Sequence, residues 1–356
     1  MLNIQGLVGR RYNKLKSDEL KNIFSNHDIV LFTETWSNEL FDYDFDGFTC
    51  YKLHRTLKHK NANRDSGGLM AYISDTCNKQ ISLVKTVDDC IMWLKISDHV
   101  GSQSNDTDRS MYICLCYNVP ANSSREGLLQ NDLFDNILND IVFFDSHTEH
   151  EYMILGDFNS RVGNLNDFVQ GEFLQNLDLL PEDYIEDVFI SRSSKDTTVN
   201  ENGRLLINFC KASGFRIMNG RIGSDKNIGN FTCVKSTGSS VVDYLLCKPE
   251  LMSRLTSFDI LEPNILSDHC AITFSIDVFI NNKNTTEARD ATRTQRKVDY
   301  VYRWDNNKLD SFMEAVSSEL FKTKINSLTT DLTQINSSER LEENLHLFYD
   351  DLNEIC

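Results

Sequence analysis

The chain has 356 residues, 40% of them hydrophobic, and a net charge of -17, enough length and apolar content for one large globular domain with an appendage. That charge repels a polyanion at long range and disfavours nucleic-acid binding over a broad surface, although an acidic site for a divalent cation and local basic clusters at Lys52–Lys60 and Arg289–Lys297 are compatible with phosphate binding. No apolar run is long enough to span a bilayer, the start MLNIQGLVGRRYNKLK lacks a signal-peptide stretch, and the ten cysteines form no CxxC pair, so reduced thiols, no membrane partner and an intracellular, nuclear or cytoplasmic, location are expected.

In chain order, Leu2 to Gly6 reads as the end of a first strand whose front half has no room before Met1, which would expose a sheet edge and loosen Asn3. Ser17 caps a short helix, with Asp18 and Glu19 in its first turn and Leu20, Ile23 and Phe24 on one face. Ile29 to Phe32 predicts a buried strand that ends at Thr33 and Glu34. A turn over Asp65, Ser66, Gly67 and Gly68 precedes strands at Leu69–Ile73, Met92–Ile96 and Met111–Tyr117. Apolar residues from Leu129 to Val142 recur at helical spacing and predict an amphipathic helix leading into the apolar run Tyr152–Leu155. That run stops at Gly156 and hands over to Asp157 and Asn159, two polar groups that point the same way along an extended chain.

Asn164 to Val199 is polar and irregular, with Asp167, Asp178, Glu182, Asp183, Glu186 and Asp187 among sparse apolar residues, and predicts a long loop with short helical pieces. A further helix presents Leu205, Leu206, Phe209 and Cys210 and stops at Gly214 before a strand at Phe215–Met218. Phe231–Val234 and Val241–Leu246 flank Thr237, Gly238 and Ser239 and predict a hairpin whose second strand carries Asp243. Strands at Phe258–Leu261 and Cys270–Asp277 follow, the second immediately after Ser267, Asp268 and His269. A polar linker over 281–299 and a helical tail over 300–356 complete a three-part organisation whose first part is residues 1–280. In the tail, Phe348 to Asp351 spell FYDD, similar to a reverse-transcriptase metal signature, but on a helical pattern and with too little chain before it for a polymerase domain.

The polar residues that stand at strand ends are Asn3, Glu34, Tyr117, Asp157, Asn159, Asp243, Asp268 and His269. Hard oxygen donors of this kind suit Mg²⁺ or Mn²⁺, whereas Zn²⁺ would want His or Cys at motif spacing. A carboxylate that readies water, a cation that neutralises phosphate charge and a His oriented by a second Asp together suit phosphoester cleavage. Singly, each has a plainer reading: Asp243 as an edge-strand surface charge, Ser267–His269 as a turn, Glu34 as a solvated strand end.

These residues resemble the endonuclease/exonuclease/phosphatase superfamily in its apurinic/apyrimidinic-endonuclease-like branch. The match runs through LNIQGL at Asn3, FTETW at Glu34, SGGLMAYI at Ser66, CYNVP at Tyr117, GDFNSRVG at Asp157, VVDYLL at Asp243 and LSDHCAI at Asp268 and His269. GDFNSRVG and the stretch from Asn200 to Arg221 look like the endonuclease domain of non-LTR retrotransposon polyproteins, and YRWD at Tyr302 like the segment after it.

The resemblance implies a four-layer, DNase I-like α/β sandwich, with two mostly antiparallel or mixed sheets face to face and helices outside. It implies Glu34 as chief metal ligand with Asn3 and Asp268 in support, and Asp157 orienting or deprotonating the attacking water. Asn159 and Tyr117 would hold phosphate or nucleophile, and His269, kept in register by Asp243, would contact the phosphate. The implied activity is Mg²⁺-dependent nicking of duplex DNA that leaves a 3′-hydroxyl, with target choice set by surface loops such as Gly220–Asn230. A small-molecule phosphatase or sphingomyelinase-like phosphodiesterase of the same fold, and a catalytically silent domesticated binding module, are the rival readings. Gln5 stands where apurinic endonucleases usually carry Asp, which puts a second metal position in doubt.

Overall fold

The elements follow from short apolar runs interrupted by polar turns. In the first part of the chain these are β1 (Leu2–Asn3), β2 (Val8–Gly9), β3 (Tyr12–Asn13), α1 (Asp18–Ser25), β4 (Ile29–Thr33), β5 (Phe48–Leu53), β6 (Leu69–Ser74), β7 (Ile81–Val87), β8 (Ile91–Ile96) and β9 (Met111–Tyr117). They are followed by α2 (Leu133–Phe144), β10 (Glu151–Asp157), α3 (Glu201–Ser213), β11 (Arg216–Ile217), β12 (Cys233–Lys235), β13 (Gly238–Ser240), β14 (Asp243–Cys247), α4 (Pro249–Met252), β15 (Leu255–Ile260) and β16 (Ile272–Ile276). The computed structural model describes residues 1–55, 66–97, 110–120, 123, 132–146, 148–169 and 189–278, all within one unit, Met1–Thr294. The linker over 281–299, the helical tail, its FYDD and the basic stretch at Arg289–Lys297 lie outside the described residues.

Two sheets carry the architecture. One has the order β1-β4-β6-β5 and the other β11-β14-β10-β9-β8-β7. Pairing is parallel for β1 with β4 and for β9 with β10, and antiparallel elsewhere, so both sheets are mixed. The β15–β16 hairpin sits beside β1, because Ile272 N–H donates to the Met1 carbonyl at 2.9 Å and the Met1 amine returns a bond to the Ile272 carbonyl at 2.7 Å.

Strand alternation divides the apolar residues among three interiors. Leu31, Leu69 and Ala71 of the first sheet share a cluster with Met92, Leu115, Met153, Leu155 and Leu245 of the second, which places the sheets face to face. Val30, Phe32 and Tyr72 point the other way and pack with Leu20 and Phe24 of α1. Cys114, Tyr152 and Ile154 likewise turn outward to Phe134 and Ile137 of α2 and Leu206 and Phe209 of α3. The result is helix, sheet, sheet, helix: the expected four-layer sandwich, with β10 covered on both faces as its unbroken apolar run requires.

The helices carry their own punctuation. Ser17, Asp132 and Asn200 cap α1, α2 and α3 through side-chain oxygens, and α3 ends at Gly214 in the left-handed region, φ 75. Gly156 answers a different need. A Cβ there would stand 1.8 Å from the Cys116 carbonyl oxygen, so only glycine lets β10 lie against β9 at this point. Gly156→Ala is therefore expected to lower the unfolding free energy by roughly 3 kcal/mol or more. Urea titration followed by far-ultraviolet circular dichroism measures it, and a loss under about 1 kcal/mol would refute the close-approach argument.

Three readings need correction. The hairpin is shorter than predicted: β12 pairs with β13, Lys235 opposite Gly238, while β14 leaves the hairpin to pair with β10 and β11. Asp243 is accordingly no edge charge but a 1% exposed residue in the interior of a sheet. The sequence does not mark strands β5 and β7, because β5 is half-buried or exposed along its whole length, β7 alternates between half-buried and exposed residues after Ile81, and neither holds a continuous apolar run. Within the described part of 164–199 the chain is irregular, as expected, yet its Asp167 is fully buried and grips Arg221 through two bonds of 2.7 and 2.9 Å.

Candidate active site

Register brings the polar strand ends together. Asp157, at the end of β10, lies opposite Tyr117 at the end of β9 and opposite Asp243 at the start of β14. On the other sheet Asn3 ends β1 opposite Thr33 of β4, which leads directly into Glu34. Sequence-distant segments thus deliver their polar residues to one end of the sandwich, where the two sheets face each other.

Hydrogen bonds cross the gap between the sheets. Asn3 Nδ2 donates to Asp157 Oδ2 at 2.8 Å. The Glu34 carboxylate accepts from Trp36 Nε1 and stands near enough to the Tyr117 phenol to help hold its proton. Asp157 Oδ1 accepts the Asn159 amide at 2.9 Å, and Asn159 Nδ2 donates to the Asn118 carbonyl at 2.8 Å. His269 Nδ1 and Asp243 Oδ2 are 2.8 Å apart, and ligand atoms of Asp157, Asp243 and His269 lie within 4.8 Å of one another. Asp268 stands apart from this interior group. It is exposed, its amide donates to Gln5 Oε1 at 3.3 Å and its carbonyl accepts from Val234 at 2.8 Å.

The backbone is strained where these groups gather. Gln5, Glu34, Trp36 and Asn159 all hold positive φ, between 47 and 54, a region that costs a non-glycine residue on the order of 1 kcal/mol. Such residues persist only where their surroundings over-determine them, and here they flank Asn3, Glu34 and Asp157.

Burial and close charge set the protonation of the group. Burial pushes the Asp157 carboxyl up to about 7, reinforced by the negative charge of Asp243 and opposed by His269. Burial alone would lower His269, but the Asp243 carboxylate outweighs it and holds the imidazolium up to about 12. Burial also raises the Tyr117 phenol well above its usual range, with Glu34 and Asp157 adding to the effect. At neutral pH the site therefore holds an imidazolium ion-paired to Asp243, a neutral phenol and a carboxylate near its midpoint.

The linkage sign is the same for both raised groups. Asp157 and His269 each hold a proton in the fold that the unfolded chain has released, Asp157 over roughly pH 4 to 7 and His269 above about 6.5. Their stabilisation is present below the unfolded pKa and is lost as pH rises through the folded one. The metal-free protein, in chelator, is thus expected to lose at least about 3 °C of Tm between pH 6.5 and 8.5. Thermal denaturation measures this, and an equally steep loss in His269→Gln would detach the slope from the ion pair.

Two further residues shape the site and went unrecognised in the sequence. Lys14 Nζ donates to the carbonyls of Ile4 and Leu266, both at 2.6 Å, and so ties the exit of β1 to the loop before Ser267. Burial brings its ammonium down to about 8 against the attraction of Asp268. Thr232 Oγ1 accepts the amides of Val242 and Asp243 at 3.0 Å, while its carbonyl accepts Cys270 N–H at 2.7 Å, which couples the Asp243 and His269 segments. A lysine among polar residues and a threonine inside a predicted strand carry no signal that would have marked them.

The donor chemistry fits a hard divalent cation. Glu34 and Asp157 offer carboxylate oxygens, and Asp243 Oδ1 is buried without a hydrogen-bond partner, an oxygen whose desolvation nothing else offsets. The chain belongs to the endonuclease/exonuclease/phosphatase family, whose model matches residues 2–269. That membership makes it a hydrolase acting on phosphodiester bonds.

Among solved structures, the AP endonuclease LMAP from Leishmania major is similar with a TM-score of 0.51 at 12% identity, over 77% of this chain and 85% of that one. It supports the fold. The endonuclease domain of TRAS1, a telomere-specific non-LTR retrotransposon, gives 0.42 at 13% identity over 72% and 90% of the two chains. The 3′ phosphatase NExo from Neisseria, bound to a product DNA hairpin, gives 0.47 at 12% identity over 78% and 97%. No curated protein sequence matches.

Proposed function

We propose that the protein is a Mg²⁺- or Mn²⁺-dependent endonuclease that nicks one strand of duplex DNA in the manner of a retrotransposon endonuclease and leaves a 3′-hydroxyl. The observation that carries this reading is the convergence of Asn3, Glu34, Tyr117, Asp157, Asp243 and His269 at one end of two facing sheets, with the imidazolium ion-paired to Asp243. The likeness of GDFNSRVG and the Asn200–Arg221 stretch to retrotransposon endonucleases supports the choice of DNA.

The residues take complementary roles in this reading. Glu34 and Asn3 would hold the cation, which would supply neutralisation of charge on the phosphate and leaving oxygen, whereas the exposed Asp268, the third ligand expected from the sequence, stands apart from them. Asp157 accepts a proton from the attacking water, and its pKa of about 7 suits that task near neutrality. Asn159 and Tyr117 donate to phosphate oxygens. His269, charged by its pairing with Asp243, stabilises the developing negative charge. The nine cysteines among the described residues are all free, and no helix among them is long and apolar enough to cross a membrane, which is compatible with action on DNA in the nucleus or cytoplasm.

The net charge of -17 favours a second reading, a small-molecule phosphatase or sphingomyelinase-like phosphodiesterase on the same fold. Conversion of supercoiled plasmid to open circle, with Mg²⁺ and with chelator, separates the two when run beside a phosphomonoester and a choline phosphodiester. Metal-dependent nicking is expected. Turnover of only a small ester would replace the proposal by the second reading, and no turnover at all by a silent binding module.

A further inference from the structure

The sequence NENG at the start of α3 lies outside the group assembled at the strand ends, yet it touches both loops that leave the central strands. Asn200 caps α3, its Oδ1 accepting Gly203 N–H at 2.7 Å. The same oxygen accepts Arg161 N–H at 2.8 Å, and Asn200 Nδ2 donates to the Asn159 carbonyl at 3.0 Å. The Asn200 amide completes the grip, donating to the Arg161 carbonyl at 3.0 Å. Two residues on, Asn202 Nδ2 donates to the Val119 carbonyl at 3.3 Å, in the loop that follows Tyr117.

The contact is too close for chance packing. A Cβ on Gly203 would stand 1.9 Å from the Arg161 carbonyl oxygen, so the helix start and the Asn159–Arg161 loop meet backbone to backbone. The loop has reason to need holding. Asn159 sits at φ 47, a conformation that a free loop leaves for the commoner regions. A second clamp lies alongside, where Asp196 takes the Arg161 guanidinium at 2.8 and 2.7 Å and also accepts the Val241 amide at 3.0 Å, next to the Asp243 strand.

We infer that Asn200 is a positioning residue for the phosphodiesterase reaction: its amide group, seated over Gly203, holds the Asn159–Arg161 loop so that Asn159 and Asp157 keep a fixed aim. A helix cap needs only an acceptor, which Ser or Asp supplies equally well. The additional Nδ2–H donor to the Asn159 carbonyl is the feature a cap does not require. The inference rests on the roles proposed above for Asp157 and Asn159.

The test compares Asn200→Asp and Asn200→Ser with Ser17→Ala in the full chain. Asn200→Asp keeps the acceptor and loses the donor arm, Asn200→Ser keeps a cap too short to span the loop, and Ser17→Ala removes the cap of α1. With Mg²⁺ and duplex DNA, both Asn200 variants are expected to lose roughly 10- to 100-fold in kcat with KM within about twofold, as a small misplacement of reacting groups does. Amide hydrogen exchange at residues 159–161 is expected to speed up in both. Ser17→Ala lowers Tm and leaves kcat unchanged.

Wild-type kcat in Asn200→Asp or Asn200→Ser would overturn the inference, as would an equal kcat loss in Ser17→Ala at an equal loss of Tm. If the wild-type protein cuts no DNA, the proposed function fails instead. The exchange rates then still decide the loop: unchanged protection in the Asn200 variants refutes the clamp, and accelerated exchange confined to residues 159–161 supports it.

Discussion

Replacing Glu34 by Gln is expected to reduce metal-dependent DNA cleavage by at least about 10³-fold while Tm stays within roughly 2 °C of wild type. Glu34 follows the last residue of β4, is only partly buried, and holds its carboxylate between Tyr117 and Trp36 Nε1. Its backbone leaves the strand conformation, with φ 54 directly after β4. Gln keeps the length and the acceptor for Trp36, so the fold loses little. It loses the anionic oxygen that a hard cation requires, and with it several kcal/mol of transition-state charge stabilisation. Single-turnover cleavage at saturating Mg²⁺, with circular dichroism and Tm on the same preparation, measures both quantities. Activity within tenfold of wild type, at native Tm, would remove Glu34 from the metal site.

The second large effect belongs to Asp243. Asp243→Asn is expected to reduce cleavage by roughly 10²- to 10⁴-fold, the range of a lost acid–base or charge-stabilising group. The cause lies in the partner. In the wild type the Asp243 carboxylate overrides the burial of His269 and keeps the ring charged, up to about 12. The amide of the variant leaves the ring in nearly the same place with burial less opposed, so its pKa falls far below the wild-type value and a smaller fraction carries charge at neutral pH. Titration of the imidazole by NMR checks this directly, and a ring in the Asp243→Asn protein that still titrates above about 10 would assign the proton to another group. Asp243→Ala goes further, because it also leaves the buried His269 Nδ1 without its hydrogen-bond partner and opens space beside it, and about 3 kcal/mol of stability is expected to go with it. Cleavage loss with an unaltered imidazole titration would separate Asp243 from the role of orienting and charging His269.

Much of the local structure was legible because it is locally encoded. Apolar runs bounded by polar turns marked β4, β6, β8, β9 and β10, and capping residues marked the start of α1 and the end of α3. Glu34, Tyr117 and Asp157 were legible for a related reason, each being a polar group where an apolar run stops, whereas Asp243, Asp268 and His269 stood out through the family motifs. Strands β5 and β7 escaped because a half-exposed strand mixes its residues like a loop.

The sequence by itself determined the polar strand ends, the acidic balance, the family motifs and the division of each strand into inward and outward faces, since all of these depend on neighbours a few residues apart. Tertiary structure alone decided which ends meet. That Asp243 sits in a sheet interior opposite Asp157 follows from strand order and register, which is set by pairing across 86 residues of chain. The charge on His269 follows from a partner 26 residues away and the burial of both. The grip of Asn200 on Asn159 spans 41 residues. Hydrophobic patterning assigns a side chain to a face, but a protonation state or a held loop is a property of groups brought within hydrogen-bond distance, and only the folded chain supplies that distance.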